Sequence, residues 1–225
     1  MKKIAIGILS LSVFLAACED PAANKTKATT TNSTTTAATN SQGNTNAATP
    51  ATKPVIKGEA LALTPENSKV EFTGSKVTGK HDGGFKAFTG TIDLVNAKPE
   101  ESSVFVDIDM NSVFTDADGL TTHLKSPDFF DVAKYPKATF NLTKIAPDAA
   151  KGAGFYTITG DFNLHGQTKS ITFPAKIAVT DADVAVDSEF SINRKDFGIV
   201  YAGKTDDLIR DDVVIRLNLK GTRKK

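Results

Sequence analysis

The chain has no tryptophan, one cysteine and three histidines among its 225 residues. A single cysteine, Cys18, excludes an internal disulfide and any zinc motif built on cysteine pairs. The histidines, His81, His123 and His165, lie far apart in sequence. Zinc wants three or four converging ligands, often at short helical or hairpin spacing, so neither a metal nor a cofactor is expected. Excess charge is also missing, with 27 Lys plus Arg against 26 Asp plus Glu. A near-neutral chain without a basic stripe argues against nucleic acid as partner. No Gly-x-Ser-x-Gly elbow is present, and nothing sets a nucleophile beside a base and its orienting group. The carboxylates fall mostly at outward strand positions or in turns. A non-enzymatic protein with no catalytic residues is the expectation.

What is present begins at the N-terminus. Met1-Lys2-Lys3 precedes an apolar run from Ile4 to Ala17. Two lysines and a short greasy stretch form the first two regions of a secretory signal. The run is shorter than the roughly 20 residues of a membrane-spanning helix. It ends in Leu15-Ala16-Ala17-Cys18, which resembles the lipobox of bacterial lipoproteins. That resemblance implies cleavage before Cys18, with lipid attached to its thiol. Residues 1–17 are read as the signal peptide and Cys18 as the membrane anchor. One acyl chain holds a protein weakly and stable anchoring takes two or more; the lipoprotein pathway supplies two or three. Glu19, where Asp would signal inner-membrane retention, points to the outer membrane, facing the periplasm.

From Cys18 to about residue 57 Thr, Ala, Asn and Ser dominate, as in Thr29-Thr30-Thr31-Asn32-Ser33-Thr34-Thr35-Thr36. Too little apolar surface is available there to offset chain entropy. Residues 18–57 are therefore expected to be a disordered leash between membrane and domain.

Residues 58–225 form one domain's worth of chain, and its dominant period is two. Val70 and Phe72, Ile92 and Leu94, and Val106 and Ile108 alternate with polar neighbours. So do Phe140 and Leu142, Ile158 and Phe162, and Phe173 and Ile177. Phe190 and Ile192, then Ile215 and Leu217, complete the series. Such alternation marks strands with one buried and one wet face. His81-Asp82-Gly83-Gly84, Asn96-Ala97, Gly152-Ala153-Gly154 and His165-Gly166 read as turns. The count is about eight antiparallel strands, in a sandwich or a closed barrel. One stretch, Asn111–Pro136, lacks alternation. Asp116 is placed as the cap of a short helix from Ala117 to Lys125. Ser126-Pro127-Asp128 reads as a second helix start, with Phe129 and Phe130 packing inward. Arg194 is placed in a two-pronged pair with Asp128 or Asp131, and the basic end Arg223-Lys224-Lys225 is left to solvent.

The run His123-Leu124-Lys125-Ser126-Pro127-Asp128-Phe129-Phe130-Asp131-Val132-Ala133-Lys134-Tyr135-Pro136 resembles the central motif of the YceI-like family. Gly74–Gly79, Phe88–Ile92, Ala138–Phe140, Ile158–Phe162, His165–Thr168 and Ile192–Gly198 follow the same family order, so the likeness covers residues 66–221. It implies an all-β, antiparallel, eight-stranded lipocalin-like barrel with a short helical insertion. It also implies a long apolar ligand (a polyisoprenoid, an isoprenoid quinone or a similar amphiphile) and allows a homodimer. The inward residues named above, with Phe129 and Phe130, are then the candidate ligand-binding set. Two other readings remain open: a barrel filled by its own phenylalanines that serves as an envelope interaction module, and an enzyme acting on a lipid head group.

Overall fold

The computed structural model describes residues 20–33 and 55–223. Fourteen strands run as β1 (Thr29–Asn32), β2 (Glu59–Leu63), β3 (Lys69–Lys76), β4 (Gly79–Phe85), β5 (Phe88–Leu94), β6 (Ser103–Asp109) and β7 (Val113–Thr115). After one helix, α1 (Asp118–Leu124), come β8 (Lys137–Pro147), β9 (Phe155–Leu164), β10 (Gln167–Val179) and β11 (Asp183–Asn193). The short pair β12 (Gly203–Lys204) and β13 (Asp207–Leu208) precedes β14 (Asp212–Thr222).

Twelve of these strands make one sheet, ordered β2-β5-β6-β8-β9-β10-β11-β14-β3-β4-β7 with β1 added to β10. Every ladder between these strands is antiparallel. The sheet curls until its ends return to it. A Cβ placed on Gly221 of β14 would stand 2.7 Å from the Leu61 Cβ of β2, and Arg223 Nε meets Glu59 Oε2 at 2.9 Å. At the other edge, β7 continues the chain beyond β6 and pairs with β4. The expected lipocalin-like all-β class is the one observed.

The strand count exceeds the eight expected. β4 includes His81-Asp82-Gly83-Gly84, expected as a turn from its composition. There the glycines serve close packing: a Cβ on Gly83 would fall 2.5 Å from both the Phe114 carbonyl oxygen and the Phe72 ring. The true turn is Val77-Thr78. At His165-Gly166 the expectation fits the backbone. Both residues have positive φ, 52° and 73°, and they join Leu164 directly to Gln167, as a two-residue hairpin turn requires.

The helical insertion also differs in detail. Asp116 does not cap α1; Ala117 occupies the cap position without a side-chain bond. The Asp116 carboxylate instead holds His81 Nδ1 at 2.8 Å. Ser126-Pro127-Asp128 starts no helix. It folds as consecutive turns that reach Asp131 at φ 46°, with the Asp131 amide bonded back to the Ser126 carbonyl at 2.9 Å.

The largest departure is at the N-terminus. Residues 20–33, read as part of a disordered leash, pack on the barrel. β1 pairs with β10 from Thr29↔Thr172 to Asn32↔Lys169. Ala28 donates to the Ser191 carbonyl at 2.7 Å, and Ser191 donates to the Thr26 carbonyl at 3.0 Å. The cause is a split between β10 and β11, whose ladder stops at Lys176↔Asp187. Pro174, two residues on, has no N–H to give, and Ser188 Oγ donates to its carbonyl. Beyond that point β10 and β11 diverge, leaving backbone groups that need partners. The segment 26–32 enters the split and supplies them. Ala22 and Ala28 are buried. Lys25 pairs with Glu189 and Lys27 with Asp212, both at 2.7 Å. The remainder of the Thr/Asn-rich stretch connects β1 to β2, and residues 34–54 lie outside the described residues. The chain is held again at Asp93, a buried carboxylate that accepts from the amides of Lys57 and Gly58 at 2.8 and 2.7 Å.

Candidate functional site: an apolar cavity with one polar end

Inward side chains do not fill the barrel. They line a cavity of about 540 Å³, within the range of roughly 300–1,000 Å³ usual for small-molecule sites. Val70, Phe72, Ile92, Val106, Ile108, Phe129, Phe130, Phe140, Leu142, Ile158, Phe162, Phe173, Ile177, Phe190, Ile192, Ile215 and Leu217 all stand in its wall. Leu94 does not. It is buried beside the entry of β2, where Glu59 pairs with it, beyond the reach of the hollow. Cys18 lies outside the described residues.

Phenylalanine shapes the deep wall. Phe173 and Phe190 stack with centroids 4.1 Å apart and planes 11° apart, and Phe140 leans on Phe173 at 5.8 Å. Gly160 lets Phe140 turn inward, because a Cβ there would come within 2.3 Å of the ring.

Apart from Glu71 in β3, the polar wall residues gather at one end, where β3 turns into β4 and where the segment between β11 and β14 crosses the barrel. Ser75, Lys76, His81, His123, Arg194, Lys204 and Asp207 belong to this end. Most are paired with protein groups. Lys76 forms an ion pair with Asp207, and Thr78 Oγ1 donates to the same carboxylate at 2.9 Å. The ammonium of Lys76, then Thr78, holds the Asp207 carboxyl below its ordinary range. His123 Nε2 meets Asp128 Oδ2 at 2.8 Å. Its ring packs edge-on against Phe129 and Tyr201, with centroids at 4.9 and 5.2 Å. Leu120, His123 and Leu124 of α1, with Phe129 and Tyr201, line the cavity at this end.

Arg194 has different partners from those expected. It is 5% exposed and touches neither Asp128 nor Asp131. Nη1 donates to the Ile199 carbonyl at 2.7 Å and Nε to the Arg210 carbonyl at 3.1 Å. Nη2 meets Asp211 Oδ1 at 3.3 Å. Burial pulls the guanidinium below its ordinary pKa, and Asp211 opposes that. Arg194 therefore staples the crossing segment 199–211 by its backbone, and Asp128 is engaged by His123 instead. Arg223, expected in solvent, binds Glu59.

The crossing segment supplies cavity residues that periodicity could not find. Ile199, Tyr201 and Ile209 line the hollow from a stretch with no alternation. Phe85 lines it from the strand whose glycines imitate a turn. Ile171, Val186, Val213 and Leu219 also line it and share the inward parity of their strands. Among the described residues no group of three His, Cys, Asp or Glu side chains comes together as a metal site would require.

Residues 61–221 match the YceI-like domain. The chain belongs to that family. A UPF0312 protein of Pseudomonas savastanoi pv. phaseolicola is 34% identical over 149 residues, covering 64% of this chain and 74% of the relative. A UPF0312 protein of Pseudomonas putida strain W619 is 34% identical over 139 residues, covering 59% and 71%. Among solved structures, BcnA of Burkholderia cenocepacia superposes with a TM-score of 0.63 at 25% identity, over 70% of this chain and 98% of BcnA. The YceI protein of Campylobacter jejuni gives 0.57 at 26%, over 64% and 85%. A polyisoprenoid-binding domain of Saccharophagus degradans gives 0.58 at 19%, over 74% and 100%; at that identity the likeness speaks for the fold.

Proposed function

We propose that this YceI-like barrel is an envelope lipoprotein that binds a long apolar ligand, such as a polyisoprenoid or isoprenoid quinone, for carriage, storage or protection. The observation that carries the reading is the hollow itself. A lining of aliphatic and phenyl groups with polar groups at one end suits an amphiphile whose tail lies inside and whose head stays at the mouth. Transfer of the tail from water contributes about 0.8 kcal/mol per buried CH₂, less the cost of ordering the chain and of competition with the bilayer. The polyisoprenoid-binding domain of the Saccharophagus neighbour supports the ligand class.

Binding rather than catalysis is part of the proposal. The polar groups at the mouth are largely engaged with one another, as Lys76 with Asp207 and His123 with Asp128, which supports a holding role. The lipobox at Cys18, with Glu19 after it, supports anchoring in the outer membrane on the periplasmic side. The hollow speaks against a barrel plugged by its own side chains.

The test is mass spectrometry of an organic extract of the purified mature chain made in a bacterial host, with the N-terminal peptide analysed alongside. A stoichiometric isoprenoid, quinone or other long amphiphile is the expected result. An empty extract, followed by no uptake of a long-chain isoprenoid, would sink the reading.

A further inference from the structure

The docking of residues 20–33 changes what an anchor at Cys18 would do. A leash of about 40 residues would let the barrel wander on the order of 35 Å from the membrane. The barrel is held from Asp20 onward instead. Asp20 Oδ2 meets Arg210 Nη1 at 3.3 Å, and Asp20 Oδ1 caps the turn at Ala22 at 2.9 Å. Two peptide units separate Cys18 from Asp20, so their Cα atoms are at most about 7.6 Å apart. The Thr/Asn-rich stretch between β1 and β2 adds no slack, because it follows the docked strand.

Arg210 sits at the polar end of the barrel. Its amide donates to the Ser75 carbonyl at 2.9 Å, and its neighbour Ile209 lines the cavity. Five large apolar side chains are exposed among the described residues. Val55 and Ile56 directly follow undescribed residues. The other three, Val77, Val200 and Leu208, belong to the polar end: the Val77 amide donates to the Leu208 carbonyl at 3.2 Å, and Val200 lies between the cavity residues Ile199 and Tyr201. Lys76 pairs with Asp207 and Arg210 with Asp20, which lowers the cost of bringing these two cations to a bilayer, while Lys204 and Asp206 at the β12–β13 turn stay exposed.

We propose that the barrel docks mouth-first on the membrane, with Val77, Val200 and Leu208 dipping into the lipid interface and the cavity opening toward the bilayer from which its ligand comes. This rests on the proposed acylation of Cys18. The strand β1 is then an orienting strap, which fixes the end of the barrel that faces the lipid.

The experiment uses the full acylated chain reconstituted in phosphatidylcholine–phosphatidylethanolamine vesicles. A fluorophore is placed at Thr205→Cys, in the exposed β12–β13 turn, or at Asp181→Cys, in the exposed β10–β11 turn at the opposite end. Lipids carrying a nitroxide near the top of the acyl chain act as quencher. Quenching several-fold stronger at position 205 than at 181 is expected. It should fall toward the level at 181 in the triple variant Val77→Ser, Val200→Ser, Leu208→Ser. It should also fall when a Gly-Ser insert of roughly 20 residues, worth about 25 Å of reach, is placed between Glu19 and Asp20. Equal quenching at the two positions, stronger quenching at 181, or no response to the insert overturns the proposal. An N-terminal peptide without acyl mass overturns instead the anchor reading beneath it.

Discussion

Arg194 holds Ile199: its buried Nη1 donates to that residue's carbonyl oxygen at 2.7 Å. The same guanidinium serves the Arg210 carbonyl and Asp211. Truncation would leave the buried Ile199 carbonyl and the half-buried Arg210 carbonyl without this donor, each costing about 1–3 kcal/mol. We expect Arg194→Ala to lose about 3 kcal/mol in urea unfolding. Asp131→Ala, which removes the partner suggested by sequence, should lose much less. Asp211→Asn should also be mild, because its carboxylate is 41% exposed. Equal losses in Arg194→Ala and Asp131→Ala would mean that the crossing segment is held some other way.

These partners show where sequence reading stops. Period-two alternation recovers one buried face per strand, and with it most of the cavity wall, because in a hollow barrel core and chamber are one surface. It cannot see Ile199 or Ile209, whose carbonyls accept from Arg194, because backbone carbonyls carry no residue signature. It also misreads β4, whose glycines are present for packing against Phe72 and Phe114. At β1 the β-branched run Thr29-Thr30-Thr31 has strand propensity, but polar composition masks it. Its partner, a split in the sheet beside Pro174, exists only after folding.

A hollow barrel answers enlargement differently from a packed one. Adding carbon to a well-packed core costs typically about 1–3 kcal/mol. Val106 and Ile171 face the cavity. The double variant Val106→Phe, Ile171→Phe should therefore melt at or above the wild-type temperature while retaining less extractable lipid. A clear loss of stability with unchanged lipid would contradict the hollow.

The clasp between Lys76 and Asp207 carries a pH signature. The Asp207 carboxyl is held below its ordinary value, first by Lys76 and then by Thr78. A depressed folded-state pKa gives stability that is fully present above the unfolded value, about 3.9 for Asp. That stability fades as pH falls through the folded value. Wild type should melt above Asp207→Asn at neutral pH, and the two curves should converge in acid. A gap that widens in acid would reverse the sign and refute the clasp.

The docked N-terminus makes a prediction about domain boundaries. If residues 26–32 complete the ladder that β10 and β11 leave open, a chain beginning at residue 58 has an unpaired seam. The Ser191 amide, which donates to the Thr26 carbonyl, then faces solvent. Such a chain should be less stable than one beginning at Asp20, by an amount on the order of 1–3 kcal/mol. Its Ser191 amide should exchange hydrogen much faster. Ala28→Pro should reproduce part of this in the longer chain, because it deletes the donor to the Ser191 carbonyl. Should the two lengths unfold together with equal protection at Ser191, β1 would be an ornament on a barrel already closed without it.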